Sequence, residues 1–126
     1  MADPVWYINA DDDQLDDETI DFKGVHAEEA NRHVSRLLLR IGADPALDTV
    51  PGASEGDLKD LLRSWAYFRA YSDEVVGKDS DNETKAKAKK TLFTDLWAVM
   101  LDVIRDALKA AGEKPNAAAT FNLGRG

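Results

Sequence analysis

The chain has 126 residues, a mass of 13.9 kDa and no cysteine. That length suits one domain, able to bury roughly two-thirds of its unfolded surface, and the lack of cysteine excludes disulfides, thiolate zinc sites and thiol nucleophiles. Hydrophobic residues make up 44% and charged residues 32%, a soluble globular composition. No apolar run approaches the length of a membrane span, and the opening MADPVWYINADDD lacks the basic flank and apolar centre of a signal peptide, so a cytoplasmic origin is expected.

The net charge of −8 is unevenly placed. Residues 1–29 carry ten acids against the single base Lys23, a balance of −9; the remaining 97 residues carry fourteen acids and fifteen bases, a balance of +1. Binding of free nucleic acid is disfavoured, because phosphates require clustered Lys and Arg. The densest basic cluster, Lys85, Lys87, Lys89 and Lys90, falls at the start of a predicted helix and reads as a solvated face.

Val5, Trp6, Tyr7 and Ile8 form an apolar cluster ahead of the acidic run, the mark of a segment tied down as an edge strand or against a neighbour. Leu15, Ile20 and Phe22 punctuate the acids that follow, and a short helical turn around 14–20 is compatible with them. The first clear helix spans about 24–41, with Ala27, Ala30, Val34, Leu37, Leu38 and Ile41 on one stripe. Gly42 stands where a left-handed cap is wanted and Pro45 prevents continuation. A loop over 43–53 follows, with Leu47 and Val50 expected to pin it to the core.

The second helix opens at Ser54, with Asp57 three residues on in the manner of a capping box, and is expected to end near Gly77. Leu58, Leu61, Leu62, Trp65 and Phe68 recur at threes and fours. Tyr67 and Tyr71 fall on a different face, which needs a second packing partner or a neighbouring subunit. The third helix has the strongest start signal, Ser80-x-x-Glu83, and is expected to end at Gly112. Phe93, Trp97, Met100, Ile104, Ala107 and Ala111 form a heptad seam; Leu92, Leu96, Val99, Val103 and Ala110 form a stripe beside it. A helix apolar over so wide an arc is expected at the centre of the core. Residues 113–126 read as an extended tail with Phe121, Leu123 and Arg125 spaced two apart. The fold class is therefore all-α: a three-helix core over 24–112, an acidic N-terminal arm over 1–23 and a C-terminal arm over 113–126.

Residue patterns for chemistry are sparse. His26 and His33 share a helix face with Glu29 between them, but two imidazoles without a further ligand set read as polar surface residues. The pairs Asp57/Asp60 and Asp102/Asp106 make no complete magnesium site: Asp57 serves the Ser54 cap, and the others belong to a solvated face. Gly52 and Gly56 lack the Lys-Ser/Thr of a phosphate loop, and no Gly-x-Ser-x-Gly elbow exists. The aromatics between Trp65 and Tyr71 suit core and interface. No enzyme activity, metal or cofactor is expected.

The order of parts carries a resemblance. An acidic lead (Leu15-Asp16-Asp17-Glu18) precedes a helix rich in Ala and Glu; a loop from Pro45 to Pro51 follows; the next helix reads DLKDLLRSWAYFRAY over 57–71; a long third helix and a Gly/Arg tail close the chain. This resembles the head–tail adaptor (connector) proteins of tailed bacteriophages, including the small Mu-like and gene-transfer-agent forms. The matching positions are Leu58-Lys59, Leu61-Leu62, Ala66, Arg69 and Tyr71, and the end Phe121-Asn122-Leu123-Gly124-Arg125-Gly126 is similar to phage structural C-termini. The resemblance implies a non-enzymatic homo-oligomer, a dodecameric ring in the virion neck, made in the host cytoplasm. Its partners would be a portal protein above and a neck or tail protein below, with DNA passing through the channel without specific binding and no membrane involved. Under it, Asp11, Asp12 and Asp13 would touch a neighbouring subunit or line the channel, Tyr67 and Tyr71 would face a neighbour, and Phe121, Leu123 and Arg125 would dock the C-terminal arm. The alternative from a different class is a small acidic regulatory or inhibitory binding protein, a DNA mimic built on the acids of 11–21.

Overall fold

The structure, a computed structural model, describes residues 3–74 and 80–113. It contains three helices, α1 (Gly24–Arg40), α2 (Glu55–Asp73) and α3 (Ser80–Glu113), and no named strand among the described residues. The all-α expectation holds. No helix of the described residues is long and apolar enough to cross a membrane.

Each helix boundary has a local cause. α1 ends in a Schellman motif: Gly42 takes φ +89°, the Ala43 N–H reaches the Leu38 carbonyl and the Gly42 N–H that of Leu39. Ala43 and Leu38 are both buried, supplying the apolar contact that accompanies this cap. The Ser54 hydroxyl accepts the Asp57 N–H at 3.1 Å and starts α2. α2 stops at Asp73, short of Gly77, which lies outside the described residues; α3 has Ser80 as its first residue, one earlier than a Ser80 N-cap would place its start, and runs through Gly112 by one residue.

Pairs across the helices fix their directions. His26 meets Asp73, Glu29 meets Arg69 and His33 stacks on Trp65, so α1 and α2 are antiparallel. Lys85 lies over Tyr71, Lys89 over Tyr67 and Phe93 against Trp65, so α2 and α3 are antiparallel too. α1 and α3 thus run the same way on either side of α2. Their backbones stay apart, and they meet over α2 through the rings of His33 and Phe93.

The central helix is α2, not α3. α2 buries Leu58, Leu61, Leu62, Ser64, Ala66, Tyr67, Ala70 and Tyr71, residues that point to nearly every side of it. α3 buries Ala86, Phe93, Met100 and Ile104 on one face, while Trp97 is only partly covered. Its second stripe is open: Leu92, Val99 and Val103 are 44%, 66% and 47% exposed. The wide apolar arc of α3 therefore serves two surfaces, and its own chain covers one of them.

The segment 3–23 supplies the rest of the core. It has turns but neither the edge strand nor the helical turn that the sequence allowed. Trp6, Ile8 and Phe22 are buried with the helices, and the Trp6 indole N–H donates to the Leu47 carbonyl at 2.9 Å. Of the two residues expected to pin the 43–53 loop, Val50 is buried and Leu47 is exposed; Leu47 contributes its carbonyl instead of its side chain.

Val50-Pro51-Gly52-Ala53 form a turn closed by the Ala53 N–H on the Val50 carbonyl at 3.1 Å. Proline at the second position and Gly52 at φ +85° are the type II requirement. Gly52 also presses on α3: a Cβ there would stand 2.8 Å from the Val103 carbonyl oxygen and 3.0 Å from the Ile104 Cα. Gly52→Ala combines an unfavourable φ with a backbone clash. It should lower stability by about 1–3 kcal/mol in a denaturant melt.

Candidate interaction surface

Two surfaces bear on function: the N-terminal acids and the open face of α3. The first is largely answered within the chain. Two tyrosine hydroxyls on α2 collect the N-terminal segment. Tyr67 accepts the Leu15 N–H at 2.6 Å and donates to the Gln14 Oε1 at 3.1 Å. Tyr71 accepts the Thr19 N–H at 3.2 Å and donates to the Glu18 Oε1 at 2.8 Å. Burial, with help from Glu18 and Asp21, pushes the Tyr67 pKa up, so its hydroxyl keeps the proton it donates.

Tyr67 and Tyr71 are each 1% exposed. The expectation that they meet a neighbouring subunit is corrected: the second partner their face demands is this chain's own N-terminal segment. Helical spacing shows that a face needs cover but not which part of the chain provides it.

Asp11, Asp12 and Asp13 separate. Asp13 is buried, accepts the Asn9 N–H at 2.9 Å, and lies 3.4 Å from Arg63 and 3.8 Å from Lys59 on α2. Its carboxylate is thus a core ion pair and not a contact for a partner or a channel. Asp11 and Asp12 are exposed, with their N–H groups held by the Asn9 side-chain oxygen at 3.0 and 2.9 Å. Glu18 pairs with Lys89 of α3 at 2.5 Å. The lysine cluster is therefore partly engaged, with Lys85 donating to the Thr19 hydroxyl and Lys89 to Glu18, and is not simply a solvated face. Phe121, Leu123 and Arg125 lie outside the described residues.

The histidines are not surface residues either. His26 is buried; its Nδ1 accepts the Lys23 N–H at 3.0 Å, which leaves the proton on Nε2 to be donated to Asp73 at 2.6 Å. It both caps α1 and ties α1 to the end of α2. His33 is half-buried and stacks on Trp65 at 4.1 Å with planes 10° apart. Nothing joins these imidazoles into a ligand set: among the described residues no group of three His, Cys, Asp or Glu is placed to hold a metal.

The second surface is the open face of α3. A groove of about 280 Å³ runs between α2 and α3, lined by Leu96, Val99, Met100 and Val103 on one wall and by Asp57, Asp60 and Gly52 on the other. Leu92 continues the apolar floor toward Leu15. Exposed Asp95, Asp102 and Asp106 line the far edge of the stripe, on α3's solvent side. The face is thus an aliphatic strip between two acidic margins. Sequence spacing identified the strip but assigned it to the core; the signal against that was the Asp trio beside it. No protein-family model, curated protein or solved structure matches this chain.

Two predictions test this arrangement. Tyr67→Phe removes an acceptor from the Leu15 N–H and a donor from Gln14. It should cost about 1–3 kcal/mol in denaturant unfolding, and hydrogen exchange at Leu15 should quicken. The pKa of His33 is pushed below its ordinary 6.5 by burial first, then by Arg36 and Arg40, with Glu29 opposing. The unfolded chain then binds a proton that the folded chain refuses, in the window between the depressed value and 6.5. The contribution is complete above that window and is lost as pH falls through it. Acidification from about pH 7.5 to about pH 5 should therefore destabilise the wild type more than His33→Phe, which keeps a ring on Trp65 and cannot titrate.

Proposed function

We propose that this chain is a structural subunit, a head–tail adaptor that assembles into a ring beneath the portal of a tailed phage and surrounds the DNA path. The observation that carries the assembly part is the uncovered aliphatic strip of Leu92, Val99 and Val103 on a helix whose other apolar face buries Phe93, Met100 and Ile104. The core is closed without it, by three helices and the N-terminal segment. A strip of this kind on an otherwise well-covered protein marks a contact surface. The resemblance of the Pro51–Tyr71 region to the adaptor helix supports the more specific part, and so does the acidic N-terminal segment. Asp11, Asp12, Asp16, Asp17 and Asp21 are all exposed, and a wall of that sign lets DNA slide past.

The measurement is particle mass by light scattering, for the chain alone and mixed with a portal ring. A ring-sized mass, or co-assembly with the portal, supports the adaptor. A monomer that ignores the portal but competes with DNA for a basic protein, in a salt-dependent way, points to the DNA mimic instead. Replacing Leu92, Val99 and Val103 together with Gln should leave the monomer's unfolding free energy within about 1 kcal/mol per site, because the side chains are already 44% to 66% exposed. Assembly should be abolished.

A further inference from the structure

α1 and α3 occupy opposite flanks of α2, run in the same direction, and carry outward faces of matching layout. On α3 the outward positions are Leu92, Val99, Val103 and Asp106; on α1 they are Val25, Arg32, Arg36 and Leu39. Both sets follow the spacing seven, four, three, and each spans about 21 Å of helix. The α3 face is aliphatic between acidic margins. The α1 face is mainly basic: Val25 and Leu39 are 64% and 65% exposed at its ends, and Arg32, Arg36 and Arg40 are exposed along it, with Asp3 and Glu28 beside Arg32 and Arg36 at one edge. Among the described residues, Arg32, Arg36 and Arg40 have no ion-pair partner, and neither do Asp95, Asp102 and Asp106.

We infer that the α3 face of one copy of this chain receives the α1 face of the next copy. The occupant is fixed by charge. Arginine stems lie along aliphatic surface while their guanidinium heads reach carboxylates at its edges, so a row of Arg suits a strip bordered by Asp57 on one side and Asp102 and Asp106 on the other. A two-fold contact of α3 with itself would bring the Asp95–Asp102 edge against its own copy, a like-charge juxtaposition that disfavours it. An α3-to-α1 contact uses different patches on the two partners, and it repeats from copy to copy in one rotational sense. Such a contact closes a ring or grows a filament. The inference deepens the ring reading above by naming its subunit contact, and it rests on that reading only for closure.

Sedimentation and cross-linking of the full chain test it. The wild type should gain mass with concentration. Arg32→Glu with Arg36→Glu, and separately Asp102→Lys with Asp106→Lys, should each weaken self-association about tenfold or more. All four changes in one chain should restore it. These side chains are exposed and unpaired, so circular dichroism should show each variant folded. A wild type that stays monomeric at about 1 mM, the weak end of specific affinities, overturns the contact. So does an α1 variant that associates as well as wild type, which would point to α3 pairing with itself, or a four-fold variant that stays apart. Restored pairing without any binding to a portal ring upholds the contact and removes the adaptor reading.

Discussion

A helix that is apolar around most of its circumference has to be covered on every side, and α2 is that helix. Two neighbouring helices cover two flanks. The remaining side, which carries Tyr67 and Tyr71, is closed by the segment from Trp6 to Phe22. That segment has no regular hydrogen-bond ladder, so its backbone groups need other partners as they go under cover. The two tyrosines meet this need: each presents a ring to the core, and each hydroxyl takes a backbone N–H of the segment. The placement of residues 14–19 follows from those two side chains, while Trp6 and Ile8 are held by the Leu47 carbonyl and the Asn31 side chain, and α1 starts at its His26 cap.

The same segment explains how a concentrated acidic charge is tolerated. Asp13 and Glu18 project inward to Lys59, Arg63 and Lys89, while Asp11, Asp12, Asp16, Asp17 and Asp21 point to water. The acids therefore divide between holding the segment on the helices and colouring the surface. A buried carboxylate between two cations is costly to leave unpaired, so Asp13 is tied to the register of α2. An exposed one is nearly free of such constraint. Only the outer set remains available to a channel or a partner.

What is left over is as informative as what is used. Once α2 is covered, α3 still has an aliphatic strip, and α1 still has a row of arginines that form no ion pair among the described residues. Neither feature helps the isolated chain: the strip costs solvation, and the arginines repel one another and His33. The proposed contact between copies would use both. This is the physical ground for reading the protein as a building block.

The all-α class, the three helices, the Gly42 cap and the Ser54 cap were determined by the sequence itself, because each depends on spacing or backbone chemistry within a few residues. Which helix is central was decided only by the tertiary structure. α2 and α3 both read as broadly apolar, and periodicity reports the width of an apolar arc without saying whether this chain or another covers it. The partners that Tyr67, Tyr71, Asp13 and His26 find in Leu15, Thr19, Arg63 and Asp73 lie 47 to 52 residues away. No local pattern encodes such pairings. They arise when packing brings distant groups together in a space where an unpaired polar atom is too expensive to leave, and that condition exists only once the chain has folded.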